Sequence, residues 1–322
     1  MLTEIVIILL YFSVVFFIAF KSRRKDSKSV EDQYLAGKSI STFESISSII
    51  ATEVSALTFI GIPAFSFGVD FRFIFVYVGA IFGRYVLARV YLPKLYGKKI
   101  TIYSTATDQR TSGDQTRKIL SGVYIISKLL AVGVRLYSGS ILVSAFFGLS
   151  IYSGIIIVSI ITSLYTLIGG LKAVIRTDVL QAGVFISGGI AAHIIIPQVA
   201  GAPWPEMMQA GLQNSKIFSF DWSYLPIVLT GVLGGFLFDI CTHGVDQDLA
   251  QRRLANKSLK GAQKSIFLSS FASIFVGLIF LGIGTLLWSY HQTVPFTLKG
   301  DFVFSDFIIK HFPPSLRGFM LA

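Results

Sequence analysis

Residues 41–68, read as STFESISSIIATEVSALTFIGIPAFSFG, constrain this chain most, because they are apolar enough to cross a bilayer yet polar midway. The polar residues and the helix breakers after them are Thr52, Glu53, Ser55, Thr58, Gly61 and Pro63. Polar groups are costly at membrane depth and usually mark an ion or substrate path. Helix breakers also free backbone carbonyls, which a bound cation can satisfy. The alternative is a kinked helix whose small residues pack closely against a neighbour.

Composition places the chain among integral membrane proteins. Hydrophobic residues make up 53% and charged residues 14% of the sequence, and its mean hydropathy is +0.70. Such a composition exceeds what a soluble core needs, so the chain is better divided into membrane spans than into globular domains. The single cysteine, Cys241, excludes an intrachain disulfide and a cysteine-rich metal site.

The first apolar stretch, residues 2–20, is followed by the basic run KSRRK. A secretory signal peptide carries its positive charge before the apolar run, so the reversed order indicates a permanent span. Basic residues keep their end of a span in the cytoplasm. The sequence therefore predicts a protein of the plasma (inner) membrane whose N-terminus lies outside.

Further spans are expected wherever about 20 apolar residues follow one another. They cover residues 43–68, 74–92, 119–149, 152–169, 179–200, 224–241 and 266–288, and another begins near Leu316. Lysine and arginine cluster in every second loop, whereas the loops between carry only Arg72 and Lys216. This is the positive-inside pattern, so the net charge of +11 predicts contact with a lipid bilayer and no nucleic-acid partner.

Several charged residues fall inside or beside the predicted spans. Arg135 is too far from either end of its span to reach the interface, so it either pairs with Glu53 or another buried acid, or holds an anionic substrate. Lys128 is nearer the cytoplasmic end and is expected to extend towards the interface. Asp178 either caps the start of a helix or belongs to an ion site.

Asp239 and His243 are four residues apart and share one face of a regular helix. A metal site would need further histidines or cysteines at ligand spacing, so these residues predict a polar cavity instead. The sequence also contains no nucleophile motif, no phosphate-binding glycine loop and no paired-carboxylate set. We therefore expect neither an enzyme nor an organic cofactor.

In combination, three stretches resemble the sodium:solute symporter family: IATEVSALTFIGIPAFSFG, GGLKAVIRTDVLQA and GVDQDLAQRRLANKS. The resemblance covers the chain from Leu2 to Ala322 and implies an all-α integral membrane protein with the LeuT-type fold. In that fold one extra N-terminal span precedes two five-helix repeats of inverted topology. Within a single transmembrane domain, 1–322, the extra span would cover residues 1–20, the first repeat 41–200 and a partial second repeat 223–322, so the inverted-repeat bundle would be truncated within the second repeat.

The resemblance further implies Na+ as the coupling ion, a small-molecule solute, and the residues that hold each. The implied sodium residues are Ala51 and Val54 through their carbonyls, the adjacent Glu53 and Ser55, and Asp178 for a second cation position. The implied solute residues are Thr58, Tyr77, Arg135, Asp239, Thr242 and His243. Arg135 favours a carboxylate-bearing solute, and the lack of an aromatic gate near Thr242 disfavours a sugar. No metal other than Na+ is implied.

Two hypotheses follow from the end of the chain. The family completes its main sodium site with serine or threonine hydroxyls of the eighth core helix, which would come after residues 312–322. The first hypothesis is a Na+-coupled symporter that works by alternating access. The second is a truncated, transport-incompetent fragment, or a membrane interaction partner of a full-length carrier.

Overall fold

The computed structural model of the protein describes residues 2–22, 35–54, 56–96, 114–214 and 222–321. Within these ranges the chain is helical almost throughout, and an isolated bridge between Ile40 and Asn256 is the only β-type pairing. The helices are α1 (Leu2–Ser22), α2 (Thr42–Glu53), α3 (Ala56–Gly68), α4 (Ile74–Val86), α5 (Asp114–Phe147), α6 (Ile151–Ala200), α7 (Trp204–Asn214), α8 (Leu225–Val245), α9 (Gln247–Leu254), α10 (Leu259–Tyr290), α11 (Val303–His311) and α12 (Pro314–Leu321). The all-α prediction is confirmed.

The described residues contain seven helical stretches that are long and apolar enough to cross a membrane, or eight if α2 and α3 form one span. α4 reaches that length by continuing through the π-helical turn Leu87–Tyr91 into Leu92–Leu95. The predicted fifth and sixth spans are one helix, α6, which contains two such stretches. Many large apolar side chains of these helices are exposed, as lipid-facing surfaces require. The chain is therefore an integral membrane protein.

Residues 41–68 form two helices, α2 and α3, as the polar residues in the middle of this stretch indicated. α2 begins with a capping box, in which Ser41 and Glu44 each bond the other's backbone nitrogen. It ends at Val54, whose backbone leaves the helical region, and the two halves are bent by 56°. The break therefore lies before the predicted helix breakers, because α3 runs through Gly61 and contains Pro63.

A second break separates α8 from α9. Asp246 has an extended backbone between them, and its side chain accepts a hydrogen bond from the backbone nitrogen of Asp248 at 2.9 Å. This aspartate caps α9 and satisfies one of the donors that a new helix leaves free. α8 ends at Val245, one residue before this cap.

Two glycines allow α4 and α8 to pack at backbone contact. A Cβ atom at Gly79 would lie 2.0 Å from the carbonyl oxygen of Val232, and one at Gly235 would lie 2.2 Å from that of Val76. Glycine is required at such close approaches between membrane helices. The contact brings Arg84 of α4 next to Asp239 of α8.

α10 is the most buried of the candidate spans and packs against α2, α3, α4 and α6. Its Phe280 meets Phe59 of α3, which also contacts Phe304 of α11, in an apolar core. α5 lies against α6 and α3, while α1 lies against α6 and α12. The short α12 therefore sits beside the first span, and Arg317 forms an ion pair there with the buried Glu4.

Candidate functional site

An ion cluster centred on Arg84 joins four helices next to the break between α2 and α3. Arg84 donates to Glu53 at 2.8 Å and to Asp239 at 3.0 Å, so one guanidinium bridges α2 and α8. It also donates to Ser269 at 2.8 Å and to Ser273 at 3.2 Å, both on α10. Arg84 and Asp239 have almost no exposed surface. We call Arg84, Glu53, Asp239, His243 and the two serines the Arg84 cluster.

His243 completes this cluster from α8. Its Nε2 atom lies 3.1 Å from Glu53 Oε1 and 3.6 Å from Asp239 Oδ1, and its side chain is 2% exposed. Ser273 donates a further hydrogen bond to Glu53 Oε2 at 2.6 Å. Buried carboxylates are tolerated only when cations or hydrogen-bond donors surround them; here the two carboxylates share Arg84, and the hydroxyl of Ser273 donates to Glu53. Asp239 and His243 share a helix face, as their spacing predicts.

A cavity of about 480 Å³, which we call cavity A, lies beside the Arg84 cluster. All the implied solute residues line it: Thr58, Tyr77, Arg135, Asp239, Thr242 and His243. Tyr77 lies over Gly277 of α10, where an added Cβ would be 2.4 Å from the ring. Glycine at that position therefore makes room for the tyrosine. Most of the remaining lining is apolar and comes from α3, α4 and α8.

Arg135 differs from Arg84 in having no partner among the residues that the structure describes. It lies midway along α5, its side chain is exposed, and the described ranges give it no hydrogen bond or ion pair. The alternative that it pairs with Glu53 is wrong, because Glu53 pairs with Arg84. Arg135 lines cavity A and also a second cavity, so its guanidinium is free to meet a ligand from either.

Lys128 lies at one side of cavity A. It forms ion pairs there and does not simply extend towards the membrane interface, as the sequence predicted. Its Nζ atom lies 2.9 Å from Asp246 and 2.6 Å from Asp248, so it links α5 to the break between α8 and α9. Lys128 and both aspartates line the cavity.

The second cavity, cavity B, has a volume of about 630 Å³ and lies between α2, α5, α6 and α9. Its lining brings Ala51 and Val54 together with Asp178, three of the implied sodium residues. Glu53 points away from them, into the Arg84 cluster and cavity A. Ser55 lies outside the described residues. Thr52 lines both cavities, so the break in the helix separates them.

Asp178 is buried beside cavity B and already has a cationic partner. Its Oδ2 atom accepts a hydrogen bond from Ser48 at 2.7 Å and forms an ion pair with Arg252 of α9. Asp178 lies in the interior of α6, so the alternative that it caps a helix start is wrong. The pair connects α6 with both broken helices, since Ser48 belongs to α2 and Arg252 to α9.

Sequence reasoning missed Arg84, Ser269 and Ser273. An arginine within the predicted span 74–92 is the same kind of signal that singled out Arg135, so Arg84 was detectable. The two serines carried no such signal, because their hydroxyls become relevant only once α10 packs against α4.

Comparison with known proteins assigns this arrangement to a family. The model of the sodium:solute symporter family matches residues 33–322, nearly the whole chain. The chain belongs to the sodium:solute symporter family. The resemblance of its three motifs to that family is thereby confirmed, and the members to which it is similar are transporters.

Among curated relatives, this symporter-family chain is 25% identical to the sodium/sialic acid symporter of Proteus mirabilis, over 92% of the chain and 62% of that protein. It is 27% identical to human sodium-coupled monocarboxylate transporter 1, over 84% of the chain and 45% of the relative. The human sodium/iodide cotransporter is 25% identical over 76% of the chain and 39% of its own length. The chain thus spans less than two thirds of each of these relatives.

The fold itself matches a solved transporter. A structure described as the substrate-bound outward-open state of a Na+-coupled sialic acid symporter superposes with a TM-score of 0.90, covering 99% of this chain and 69% of that one. Sequence identity is 22%, so the match establishes the fold. This match confirms the all-α membrane bundle that the family resemblance implied.

Proposed function

We propose that this chain acts in Na+-coupled import of a small, carboxylate-bearing organic solute, with Na+ at the break between α2 and α3 and the solute in cavity A. The observation that carries the proposal is the position of this break between two cavities, one lined by Ala51, Val54 and Asp178 and the other by all the implied solute residues. Coupling requires ion and solute to share one structural element, and the broken helix is that element.

The sodium position follows from backbone chemistry. The last turn of a helix leaves carbonyls without helical partners, and α2 ends at this break. The carbonyl of Glu53 is satisfied by the hydroxyl of Thr58 at 2.6 Å. The carbonyls of Ala51 and Val54 are proposed to coordinate Na+, a hard cation that prefers oxygen ligands. Glu53 contributes through its charge, one residue from Val54, and Ser55 through its hydroxyl.

Asp178 is proposed to support a second cation position, in exchange with Arg252. In this structure the guanidinium of Arg252 satisfies the carboxylate, so a cation can bind there only when α9 moves away. The pairs Arg252–Asp178 and Lys128–Asp246 both connect the broken helices to α5 or α6. We infer that both pairs break when cavity A opens to the cytoplasm, which is the alternating-access step of an inverted-repeat carrier.

The proposed division into repeats and the proposed membrane orientation are those that the family resemblance implies. Residues 41–200 form the first repeat and residues 223–322 belong to the second, with the N-terminus outside and the basic loops in the cytoplasm of a cell whose plasma membrane holds the protein. With this orientation the Na+ gradient drives import, and the membrane potential adds about 2.3 kcal/mol per charge and 100 mV.

The test is uptake into proteoliposomes that contain this protein. An inward Na+ gradient should accumulate a labelled carboxylate solute, and an equal K+ gradient should not. Dissipating the Na+ gradient with an ionophore should abolish accumulation while leaving binding intact. Accumulation that is equal in Na+ and K+ would refute Na+ coupling. A correctly folded protein that binds solute and Na+ without moving either would favour the hypothesis of a transport-incompetent membrane partner.

A further inference from the structure

A histidine near the end of α6, His193, joins three helices. Its Nε2 atom lies 2.9 Å from the carbonyl oxygen of Ile279 on α10, and its Nδ1 atom accepts a hydrogen bond from the indole nitrogen of Trp204 on α7 at 3.0 Å. Since an indole N–H can only donate, Nδ1 carries no proton, and Nε2 carries the proton that is donated to Ile279. The two bonds therefore assign a single neutral tautomer to His193.

The local chain geometry favours this contact. A Cβ atom at Gly282 of α10 would lie 2.6 Å from His193 Cε1, so the glycine makes room for the imidazole. α6 ends at the left-handed residue Gly201, with a φ of 66°, and α7 begins three residues later at Trp204. Proline lies on both sides of Trp204, which restricts its backbone. A short and restricted turn therefore brings the indole to the imidazole.

α7 packs along α10 at the level where α10 meets α3. Met207 of α7 is 3% exposed and belongs to the apolar core, and a Cβ atom at Gly211 would lie 2.3 Å from Thr285 Cγ2 on α10. The hydroxyl of Thr285 lies 3.0 Å from that of Ser66 on α3. The neighbouring Phe65 of α3 lines cavity A. The position of α7 is therefore linked through α10 to a helix that forms part of the wall of cavity A.

Among the described residues, no charged group forms a hydrogen bond or ion pair with His193. Along the helices that meet at the imidazole, the nearest ionisable residues are Asp178 on α6, Glu206 on α7 and Tyr290 on α10. None of the three has a described contact with the ring, and Glu206 is exposed. The protonation state of this contact therefore depends on the imidazole and its two hydrogen-bond partners.

We propose that the hydrogen bond between His193 and Trp204 is a proton-sensitive latch that holds α7 against α10, and that protonation of His193 releases α7. Protonation adds a hydrogen to Nδ1, so two donors then face each other and the bond is lost. Imidazole in water gains this proton at about pH 6.5. The latch is therefore closed at pH 7.5 and opens as the pH falls. In the proposed orientation α7 lies on the outer side of the membrane, so the external pH controls it.

Labelling of a buried cysteine on α7 measures the release of this helix. Met207→Cys is introduced into a Cys241→Ser background, and Gln209→Cys, at an exposed position of the same helix, is the matched control. The ratio of the two labelling rates with a maleimide removes the common effect of pH on thiol reactivity. In the purified protein this ratio should rise by about threefold to tenfold between pH 7.5 and pH 4.5, the effect of losing one hydrogen bond. A constant ratio would overturn the inference.

Two variants distinguish a latch from a contact that is only structural. Trp204→Phe keeps an aromatic ring and removes the donor, so its labelling ratio should already be high at pH 7.5 and should not respond to acid. His193→Asn places an amide oxygen near the position of Nδ1, so its ratio should stay low at both pH values. Trp288→Phe is the control, because no hydrogen bond of its indole is described. A response to acid that survives in Trp204→Phe would contradict the proposal, as would a low ratio for that variant at pH 7.5.

Fluorescence provides a readout that needs no introduced cysteine. With Trp222 and Trp288 replaced by phenylalanine, Trp204 is the only tryptophan of the chain. Its emission should change between pH 7.5 and pH 4.5, because the indole exchanges the imidazole for water, and it should stay constant when His193→Asn is added. Emission that does not respond to pH while His193 is present would refute the latch. Neither readout requires transport, so both outcomes are independent of the proposed function.

Discussion

Arg84 and Arg135 are both arginines within apolar helices, yet the structure gives them opposite surroundings. Arg84 is 3% exposed and donates to two carboxylates and two serines. Arg135 is exposed to two cavities and has no partner among the described residues. A buried charge that is fully paired serves the fold, and a charge that is kept free in a cavity is available to a ligand. The partners of an arginine, and not its depth, distinguish these roles.

The largest effect is expected from removing Arg84. Arg84→Gln leaves Glu53 and Asp239 buried without their shared cation, which destabilises a protein by about 3–5 kcal/mol in comparable buried pairs. Thermal unfolding in detergent would measure the loss, with Arg89→Gln as the control because Arg89 is exposed and stacks on Tyr85. An unchanged unfolding temperature would show that the cluster does not stabilise the bundle.

Arg135→Ala should have the opposite effect to Arg84→Gln: it should weaken uptake and leave stability almost unchanged. The affinity for a carboxylate solute in uptake should fall by an amount equivalent to about 1.5–3 kcal/mol of binding free energy, the range for a hydrogen bond to a charged group. The free energy of unfolding should change by less than about 0.5 kcal/mol, because no described interaction is lost. Uptake rates and thermal unfolding, measured on the same preparation, check both parts. A variant that fails to accumulate in the membrane would make the residue structural and remove the contrast with Arg84.

Glu53 tests whether the Arg84 cluster also affects the proposed sodium site. Glu53→Gln leaves Arg84 partly uncompensated near Val54, so the apparent Na+ affinity of uptake should fall by about tenfold, as should that of Ser55→Ala, which removes a proposed ligand. Glu44→Gln is the control, since it removes a charge from the same helix and a glutamine still completes the capping box. An unchanged Na+ dependence in both variants would reject these sodium assignments.

The smallest effect is expected at Lys128. Its pair with Asp246 is partly exposed, so Lys128→Met should weaken the closed state by about 1 kcal/mol or less. The opening of cavity A would be followed through a cysteine introduced by Ala80→Cys in a Cys241→Ser background, because Ala80 lines the cavity. Its labelling by an impermeant maleimide from the cytoplasmic side should become roughly fivefold faster, which corresponds to 1 kcal/mol.

Lys94→Met is the control for this experiment, since Lys94 lines neither cavity. Equal labelling of Lys128→Met and the unmodified background would mean that the pair does not hold cavity A closed. Faster labelling from the opposite side alone would place the link at the other end of the cavity and contradict the predicted orientation.

Much of the candidate site was predictable because its signals are local. Arg135, Asp239 and His243 are ionisable residues in or beside apolar spans, and such residues require a cavity or a partner wherever they occur. The family resemblance added Thr58, Tyr77 and Thr242, and the structure places all of them around cavity A. Their roles in binding remain proposals that the variants above test.

The pairing of these residues was not predictable, because it depends on contacts between distant helices. The sequence offered Glu53 as a partner for Arg135, and the structure pairs it with Arg84, which α4 brings close through its glycine contact with α8. Likewise, Lys128 finds its partners only because the break before α9 places Asp246 and Asp248 beside α5.

The sequence by itself determined the class of the protein, since the length of apolar runs, the alternation of basic loops and the polar residues of 41–68 all act locally on the chain. The tertiary structure alone decided which of the described charges around cavity A are paired with one another and that Arg135 is not among them. That outcome depends on helix packing at the scale of a single hydrogen bond, where a shift of about 1 Å is enough to separate an ion pair from an open binding group.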